Sequence, residues 1–83
     1  MAYAVVLPKK AQKDLARIDS RYRIRVALAL KLLGQDPFQG KKLTGEHAGE
    51  YSVRVWPYRI IYKIYKHELL VIVVKIGHRQ EVY

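Results

Sequence analysis

The stretch YSVRVWPYRIIYKIY, residues 51–65, decides the fold, because apolar and polar side chains alternate along both of its halves. In a β-strand, successive side chains point to opposite faces of the sheet. Residues 51–55 follow this alternation, Trp56-Pro57 interrupts it, and residues 58–65 resume it. The stretch therefore predicts two antiparallel strands joined by a tight turn.

The register of this hairpin can be predicted from its side chains. If Trp56 and Pro57 form the turn, Val55 faces Tyr58, Val53 faces Ile60, and the apolar residues of both strands share one face, which supports the register. The same register sets Arg54 directly opposite Arg59. Opposed like charges destabilise a sheet by up to about 1 kcal/mol, a cost that an anion bound between them would relieve.

The N-terminal half predicts a short strand and a helical hairpin. Residues 3–7 are apolar and stop at Pro8, which is typical of a strand end. Residues 9–18 carry one apolar stripe at helical spacing. Asp19-Ser20 then offers a cap for a second helix, which we expect Gly34 to stop. The two stripes consist of Ala11, Leu15 and Ile18, and of Tyr22, Val26, Leu30 and Leu33.

The rest of the chain completes one α+β domain. Residues 34–50 hold four of the five glycines and predict a connector. After a turn near Lys66-His67, residues 69–76 are so apolar that we expect a central strand buried on both faces. We predict an N-terminal strand and an α-helical hairpin packed on a mainly antiparallel sheet with C-terminal strands, forming a single domain over residues 1–83.

Charge is the most informative part of the composition. Sixteen Lys and Arg face seven Asp and Glu, which gives a formal net charge of +9, and the pI is about 10.0. This charge predicts a polyanionic partner, which could be nucleic acid, an acidic protein or a membrane surface. No apolar run reaches the roughly 18 residues of a membrane span, and we see no signal peptide. The absence of cysteine excludes disulfides and thiolate metal sites. We therefore expect a cytoplasmic protein without membrane contact.

Several segments, in this order, resemble the RelE/ParE superfamily of bacterial and archaeal toxins. They are Lys42-Leu43-Thr44-Gly45, Tyr51-Ser52-Val53-Arg54-Val55, Tyr58-Arg59-Ile60-Ile61-Tyr62 and Val74-Lys75-Ile76-Gly77-His78-Arg79-Gln80-Glu81-Val82-Tyr83. The predicted order β-α-α-β-β-β is also similar, and the resemblance covers essentially the whole chain. It implies a RelE-like toxin of a type II toxin–antitoxin system. Such a toxin is an endoribonuclease that cleaves mRNA on the ribosome without a metal or cofactor, and an acidic antitoxin protein neutralises it.

The resemblance also implies the catalytic residues, which are basic side chains of the sheet and a C-terminal tyrosine. In this chain they fall on Arg54, Arg59, Arg79 and Tyr83. Many relatives have a lysine two residues before Arg54, where this chain has Ser52, so the identity of the general base stays open. Arginine suits the task because its planar fork binds two phosphate oxygens and stays charged.

The closing segment adds one further candidate, His78, to Arg79 and Tyr83. His78 is a catalytic candidate because an imidazole can act as acid or base near neutral pH. Strand alternation, however, places His78 and Arg79 on opposite sides, which favours a structural role for the histidine. In such an enzyme the 2′-hydroxyl of the RNA attacks the neighbouring phosphate. Tyr83 could act as the base in this step, orient the 2′-hydroxyl, or stack on a nucleobase.

Other polar residues are assigned to RNA binding, and two alternatives to the nuclease remain. The assigned residues are Lys41, Lys42, Ser52, Lys63, Lys9, Lys13 and Arg17. One alternative is a ParE-like toxin that inhibits gyrase by binding and has no nuclease site. The other is a non-catalytic RNA- or ribosome-binding module, which the serine at position 52 keeps open.

Overall fold

A computed structural model describes residues 2–78 of the chain. Five strands and two helices make up this part, with short 3-10 turns at Pro37–Gln39 and Gly45–His47. In chain order they are β1 (Ala4–Val6), α1 (Lys9–Ala16), α2 (Ser20–Gln35), β2 (Lys41–Lys42), β3 (Tyr51–Val55), β4 (Tyr58–Tyr65) and β5 (Leu70–His78). The predicted α+β architecture is confirmed.

The strands form one sheet in the order β1-β5-β4-β3-β2. β1 runs parallel to β5, whereas the other neighbours are antiparallel. The predicted register of the central hairpin is confirmed, because Val53 pairs with Ile60, Val55 with Tyr58, and Arg54 with Arg59.

The pairing of β4 with β5 contains a β-bulge. Ile61 pairs with Lys75, but the next residue, Tyr62, pairs with Val73, so Val74 is the extra residue on β5. A bulge of this kind lets both strands keep their apolar residues on one face on either side of the irregularity.

Both helices contribute to a core on one face of the sheet. The helical stripes predicted from the sequence supply this core, since Ala11, Ile18, Val26 and Leu33 are buried against the strands. The sheet supplies a matching set, in which the fully or nearly fully buried members are Val55, Ile60, Tyr62, Val71, Val73 and Ile76.

The second helix begins as predicted but ends differently. The side chain of Asp19 accepts a hydrogen bond from the backbone N–H of Arg21 and so caps α2. Side-chain and backbone hydrogen bonds from Arg21 hold the pKa of this carboxyl below its usual value. The prediction that Gly34 stops the helix was wrong, because α2 continues to Gln35. Gly34 instead lets β1 approach closely, because a Cβ there would lie 2.9 Å from the carbonyl oxygen of Tyr3. The Gly34 carbonyl accepts from the Tyr3 N–H at 2.7 Å.

Two expectations about the C-terminal half also need correction. The connector contains a two-residue edge strand, β2, which pairs with Ser52 and Tyr51 and which its composition did not indicate. β5 is a central strand, but it is not buried on both faces. Its burial alternates, because the helices cover only one side of the sheet. Within residues 2–78, no helix is long and apolar enough to cross a membrane.

Candidate active site

The face of the sheet opposite the helices carries two cross-strand rows of side chains. Ile60 and Tyr62 lie in the core on the helix side, so Arg59 and Ile61 face the other way. The first row, which we call the arginine row, runs over Arg54, Arg59 and Gly77. The second, which we call the lysine row, runs over Lys41, Ser52, Ile61 and Lys75.

The two arginines of the first row differ in how they are held. Arg54 is exposed, whereas Arg59 is half-buried and its Nη1 donates to the Oγ of Ser52 at 3.1 Å. Ser52 itself is only 3% exposed. The sequence assigned Ser52 to RNA binding, but its described contact is with Arg59. The serine thus fixes one guanidinium beside a second that can adjust.

The arginine pair can bind an oxyanion that a single arginine would bind less well. Directly opposed residues of an antiparallel pair have Cβ atoms about 4.5–5.5 Å apart. Two guanidinium forks at that spacing can bind different oxygens of one phosphate. Charge-assisted donors that are already in place stabilise negative charge as it develops in a reaction. The pair can therefore bind a phosphodiester and stabilise a phosphorane.

The structure divides the predicted RNA-binding lysines between the two faces. Lys41 pairs with Ser52 and so shares its face, and Lys63 follows Ile61 on that face beyond the bulge. Lys42 pairs with Tyr51 and lies on the helix side. The predicted cations of α1 and of its C-terminal cap, residue 17, are not brought to the arginine row, because α1 packs against β5 on the other face. They are Lys9, Lys13 and Arg17, all exposed.

The closing segment is described only in part. His78 pairs with Tyr58, and their rings form an edge contact with centroids 5.9 Å apart. Because Tyr58 packs against the core, His78 lies on the helix side. Along the edge of β5, α1 and residues 75–78, which come from both faces of the strand, line a cavity of about 340 Å³. The arginine row is on the other side of the sheet. Arg79 and Tyr83 lie outside the described residues.

Sequence reasoning missed an apolar stripe on the outer side of α2. Ile24, Leu28 and Leu32 are 73%, 57% and 52% exposed, and Trp56 at the hairpin turn is 54% exposed. Leu28, Leu32 and Trp56 border a groove of about 450 Å³ that Arg54 also lines. Ile24, Leu28 and Leu32 are spaced four residues apart, which is a helical spacing that the sequence already shows. The core stripe of the same helix has a similar spacing and drew attention away from it.

The sequence did not predict that Lys75 would lie in the lysine row. Lys75 is the only Lys, Arg, Asp or Glu in β5. Its isolation in an apolar strand was a usable signal, but its face depends on the bulge at Val74, which the side-chain pattern does not indicate.

Comparison with known proteins bears on the family of this chain. The family model described as the ParE toxin of the type II toxin–antitoxin system parDE matches residues 5–83. The chain is 32% identical over 85 residues to Toxin RelG of Mycobacterium tuberculosis, covering 100% of this chain and 98% of that protein.

Solved structures show the same likeness. The crystal structure of the toxin–antitoxin complex RelBE2 from Mycobacterium tuberculosis superposes with a TM-score of 0.87 at 31% identity, covering 95% of this chain and 100% of that one. The isolated RelE toxin of E. coli gives a TM-score of 0.80 at 25% identity, with coverages of 99% and 92%. The chain therefore belongs to the RelE/ParE superfamily, the toxins of type II toxin–antitoxin systems.

Proposed function

We propose that this toxin is an endoribonuclease that cleaves mRNA bound to the ribosome. The observation that carries the proposal is the direct cross-strand pairing of Arg54 with Arg59, together with the hydrogen bond from Arg59 to the buried Ser52. Two adjacent guanidinium groups repel each other and lower the stability of the sheet, unless an anion binds between them. A toxin that acted only by binding a protein target would have no need of that pair.

The reaction breaks the RNA chain by using its own 2′-hydroxyl. The 2′-oxygen attacks the adjacent phosphorus, the P–O5′ bond breaks, and a 2′,3′-cyclic phosphate and a 5′-hydroxyl result. The proton of the 2′-hydroxyl passes to a base, and the leaving 5′-oxygen takes up a proton. Arg54 and Arg59 stabilise the additional charge on the phosphorane oxygens.

The closing segment supplies the remaining groups in this proposal. Following the resemblance, we assign Tyr83 to the 2′-hydroxyl, as base or as orienting group, and Arg79 to the transition state or the leaving oxygen. His78 is the weaker candidate, because it contacts Tyr58 on the helix side of the sheet.

The exposed cations on α1 favour a large RNA surface beyond the cleaved message. Lys9, Lys13 and Arg17 recur every four residues and are all exposed. Phosphate contacts of this kind contribute affinity without sequence specificity. Ribosomal RNA around the bound message fits this requirement.

A cognate acidic antitoxin is the second proposed partner. Solved relatives include complexes of RelE with RelB, and the apolar stripe of Ile24, Leu28, Leu32 and Trp56 offers a surface for an amphipathic helix. Arg25 and Arg54 border the groove beside this stripe, so acidic residues flanking the apolar face of such a helix would be favoured.

The test is cleavage of a defined message in programmed ribosomes. Purified toxin is added, and primer extension maps breaks in the message, with Arg54→Ala and Arg59→Ala as comparisons. We expect breaks that depend on the ribosome and are reduced about 100-fold or more by either substitution. Intact message at every toxin concentration would overturn the proposal, and ribosome binding without breaks would indicate the non-catalytic module.

Gyrase inhibition is the second candidate function, because the family model that matches the chain is that of a ParE toxin. A DNA gyrase cleavage assay should run beside the ribosome assay. Trapped double-strand breaks, with the message intact, would assign the toxin to gyrase.

A further inference from the structure

We propose that Lys75 is a catalytic residue of this toxin and supplies the cation that many relatives carry at the position of Ser52. The inference rests on the proposed nuclease function. In this chain position 52 is a buried serine engaged with Arg59, so it contributes no charge to the site. A third cation on this face would therefore have to come from another residue of the lysine row.

The register places Lys75 in the lysine row, on the same face as the two arginines. Lys75 pairs with Ile61, and Ile61 pairs with Ser52, so the lysine lies two strands from the serine in the same row. Cross-strand partners project on the same side of a sheet. Ile76, the next residue, is buried in the helix-side core, which agrees with this orientation of its neighbour.

Lys75 is also close to the phosphate position expected between the arginines. Gly77 is the direct partner of Arg59, and Lys75 is therefore its diagonal neighbour, at a separation of about 7–8 Å that long side chains can span. Gly77 has no side chain, so no β5 side chain stands beside Arg59 in the arginine row. The flexible four-carbon stem of Lys75 can bring its ammonium to an oxygen of a phosphate bound there.

The backbone around Lys75 is held from both sides. The β4 ladder pairs one edge of β5, and on the other edge the Oδ2 of Asp14 accepts from the N–H of Ile76 at 3.1 Å. Catalytic cations are most effective when their position is set before the reaction. A lysine attached to this segment meets that condition.

Lys41 is the competing candidate, because it flanks the same row from the other side. It pairs with Ser52, but it is exposed and belongs to a two-residue edge strand. Lys75 is half-buried on an interior strand. A charge nearer the sheet surface is screened less by water and salt, so Lys75 is the stronger of the two.

The experiment measures cleavage by excess toxin on programmed ribosomes in a single turnover. It compares the wild type with Lys75→Met, Lys75→Arg, Lys41→Met and Lys66→Met. Lys66 lies in the turn between β4 and β5, outside both rows, and its replacement removes the same charge. Two quantities are fitted for each protein, the rate at saturating toxin and the half-saturating toxin concentration.

We expect Lys75→Met to lower the saturating rate about 100-fold, because a fixed transition-state cation is lost. Lys75→Arg should remain within about tenfold of the wild type, since the charge is kept. Lys66→Met should behave as the wild type, and Lys41→Met should mainly raise the half-saturating concentration. Thermal unfolding midpoints identify any misfolded variant, and Lys75→Gln then replaces Lys75→Met.

Each other outcome decides against the inference in a distinguishable way. If the wild type cleaves and Lys75→Met cleaves equally fast, Lys75 is not catalytic although the nuclease function stands. If Lys41→Met loses the saturating rate and Lys75→Met keeps it, the cation is Lys41. If Lys75→Arg is as slow as Lys75→Met, a fixed charge is not the role. A wild type that never cleaves removes the proposed function and this inference together.

Discussion

At the scale of single residues, the candidate site is organised by the buried hydroxyl of Ser52, which contacts the guanidinium of Arg59. Ser52 accepts from Arg59, and no other buried polar or charged residue is found within residues 2–78. The bond limits the positions that Arg59 can adopt. A single hydrogen bond therefore orients one arginine of a pair whose charges repel each other.

The Ser52→Ala substitution tests this orientation. We expect the saturating cleavage rate to fall by about tenfold, corresponding to one hydrogen bond to a charged group. The single-turnover ribosome assay measures it. Ser20→Ala, at the exposed start of α2, is the matched control. Equal rates for the two variants would show that the serine does not position Arg59.

Tyr62 is a residue whose ionisation the fold opposes. Its hydroxyl donates to the carbonyl of Pro37 at 2.7 Å, and burial raises its pKa to about 12. Between the ordinary value of about 10 and about 12, the unfolded chain loses this proton and the folded chain keeps it. The contribution of Tyr62 to the free energy of unfolding is therefore fully present below about pH 10. It is lost as the pH rises from about 10 to about 12, by up to about 1.4 kcal/mol per pH unit.

The Tyr62→Phe variant isolates that effect. At neutral pH we expect it to be less stable by about 1–2 kcal/mol, because the buried Pro37 carbonyl loses its donor. Urea unfolding at pH 9, 10, 11 and 12 should show the difference from wild type shrinking across the upper part of this range. A constant difference over all four pH values would contradict the assignment.

At the scale of elements, one carboxylate fastens α1 to the open edge of β5. β1 pairs with residues 70–72, and within residues 2–78 the rest of that edge has no strand partner. The Oδ2 of Asp14 accepts from the N–H of Ile76 and also lies 3.4 Å from the Nζ of Lys10. A side chain of α1 thus accepts from a backbone N–H at the edge of β5, as a neighbouring strand would.

Replacement of Asp14 by alanine should loosen this junction. We expect a loss of about 1.5–3 kcal/mol in the free energy of unfolding, because a charge-assisted hydrogen bond disappears. Urea denaturation measures it. Lys10→Met, which removes only the exposed ion pair, should cost no more than about 0.5 kcal/mol. If the two variants lose the same stability, the contact with Ile76 contributes nothing.

The packing of α2 against β1 depends on a glycine inside the helix. A Cβ at Gly34 would lie 2.9 Å from the carbonyl oxygen of Tyr3 and 3.3 Å from a methyl of Val5. Alanine would normally strengthen a helix by up to about 1 kcal/mol. Here the backbone clash should reverse the sign.

We therefore expect Gly34→Ala to destabilise the protein by about 1–3 kcal/mol. Thermal unfolding should show a lower midpoint, whereas Gln35→Ala, an exposed change at the end of the same helix, should leave it nearly unchanged. A stabilised Gly34→Ala variant would mean that β1 shifts away from α2 at little cost.

At the scale of the whole molecule, the net charge of +9 sets how the toxin meets its partners. Association of a cationic protein with RNA releases counterions and weakens as salt rises. We expect ribosome affinity to fall by at least about tenfold between 50 and 200 mM salt. Filter-binding titrations at several salt concentrations measure the slope.

The α1 surface should account for part of that slope. Replacing Lys9, Lys13 and Arg17 together by glutamine should reduce the slope by about 1 for each lost phosphate contact. Lys66→Gln, in the turn after β4, controls for charge alone. An unchanged slope in the triple variant would show that α1 does not face RNA.

Much of this fold was determined by local sequence. Alternation in residues 51–65 established the central hairpin and its register, because a slip by one residue would move every apolar side chain to the wrong face. The helical stripes and the Asp19 cap were equally local. The pairing of Arg54 with Arg59, on which the candidate site is built, followed directly from that register.

The remaining features were decided by contacts between distant segments. β2 has only two residues and exists because β3 offers it an edge. Gly34 lies inside the helix, and β1 occupies the space that a side chain there would fill. The bulge at Val74 decides that Lys75 shares a face with Arg59, and a bulge arises from fitting two strands over one core. Local pattern fixes which side chains a strand or helix presents together, but only tertiary packing decides which of them meet across the sheet.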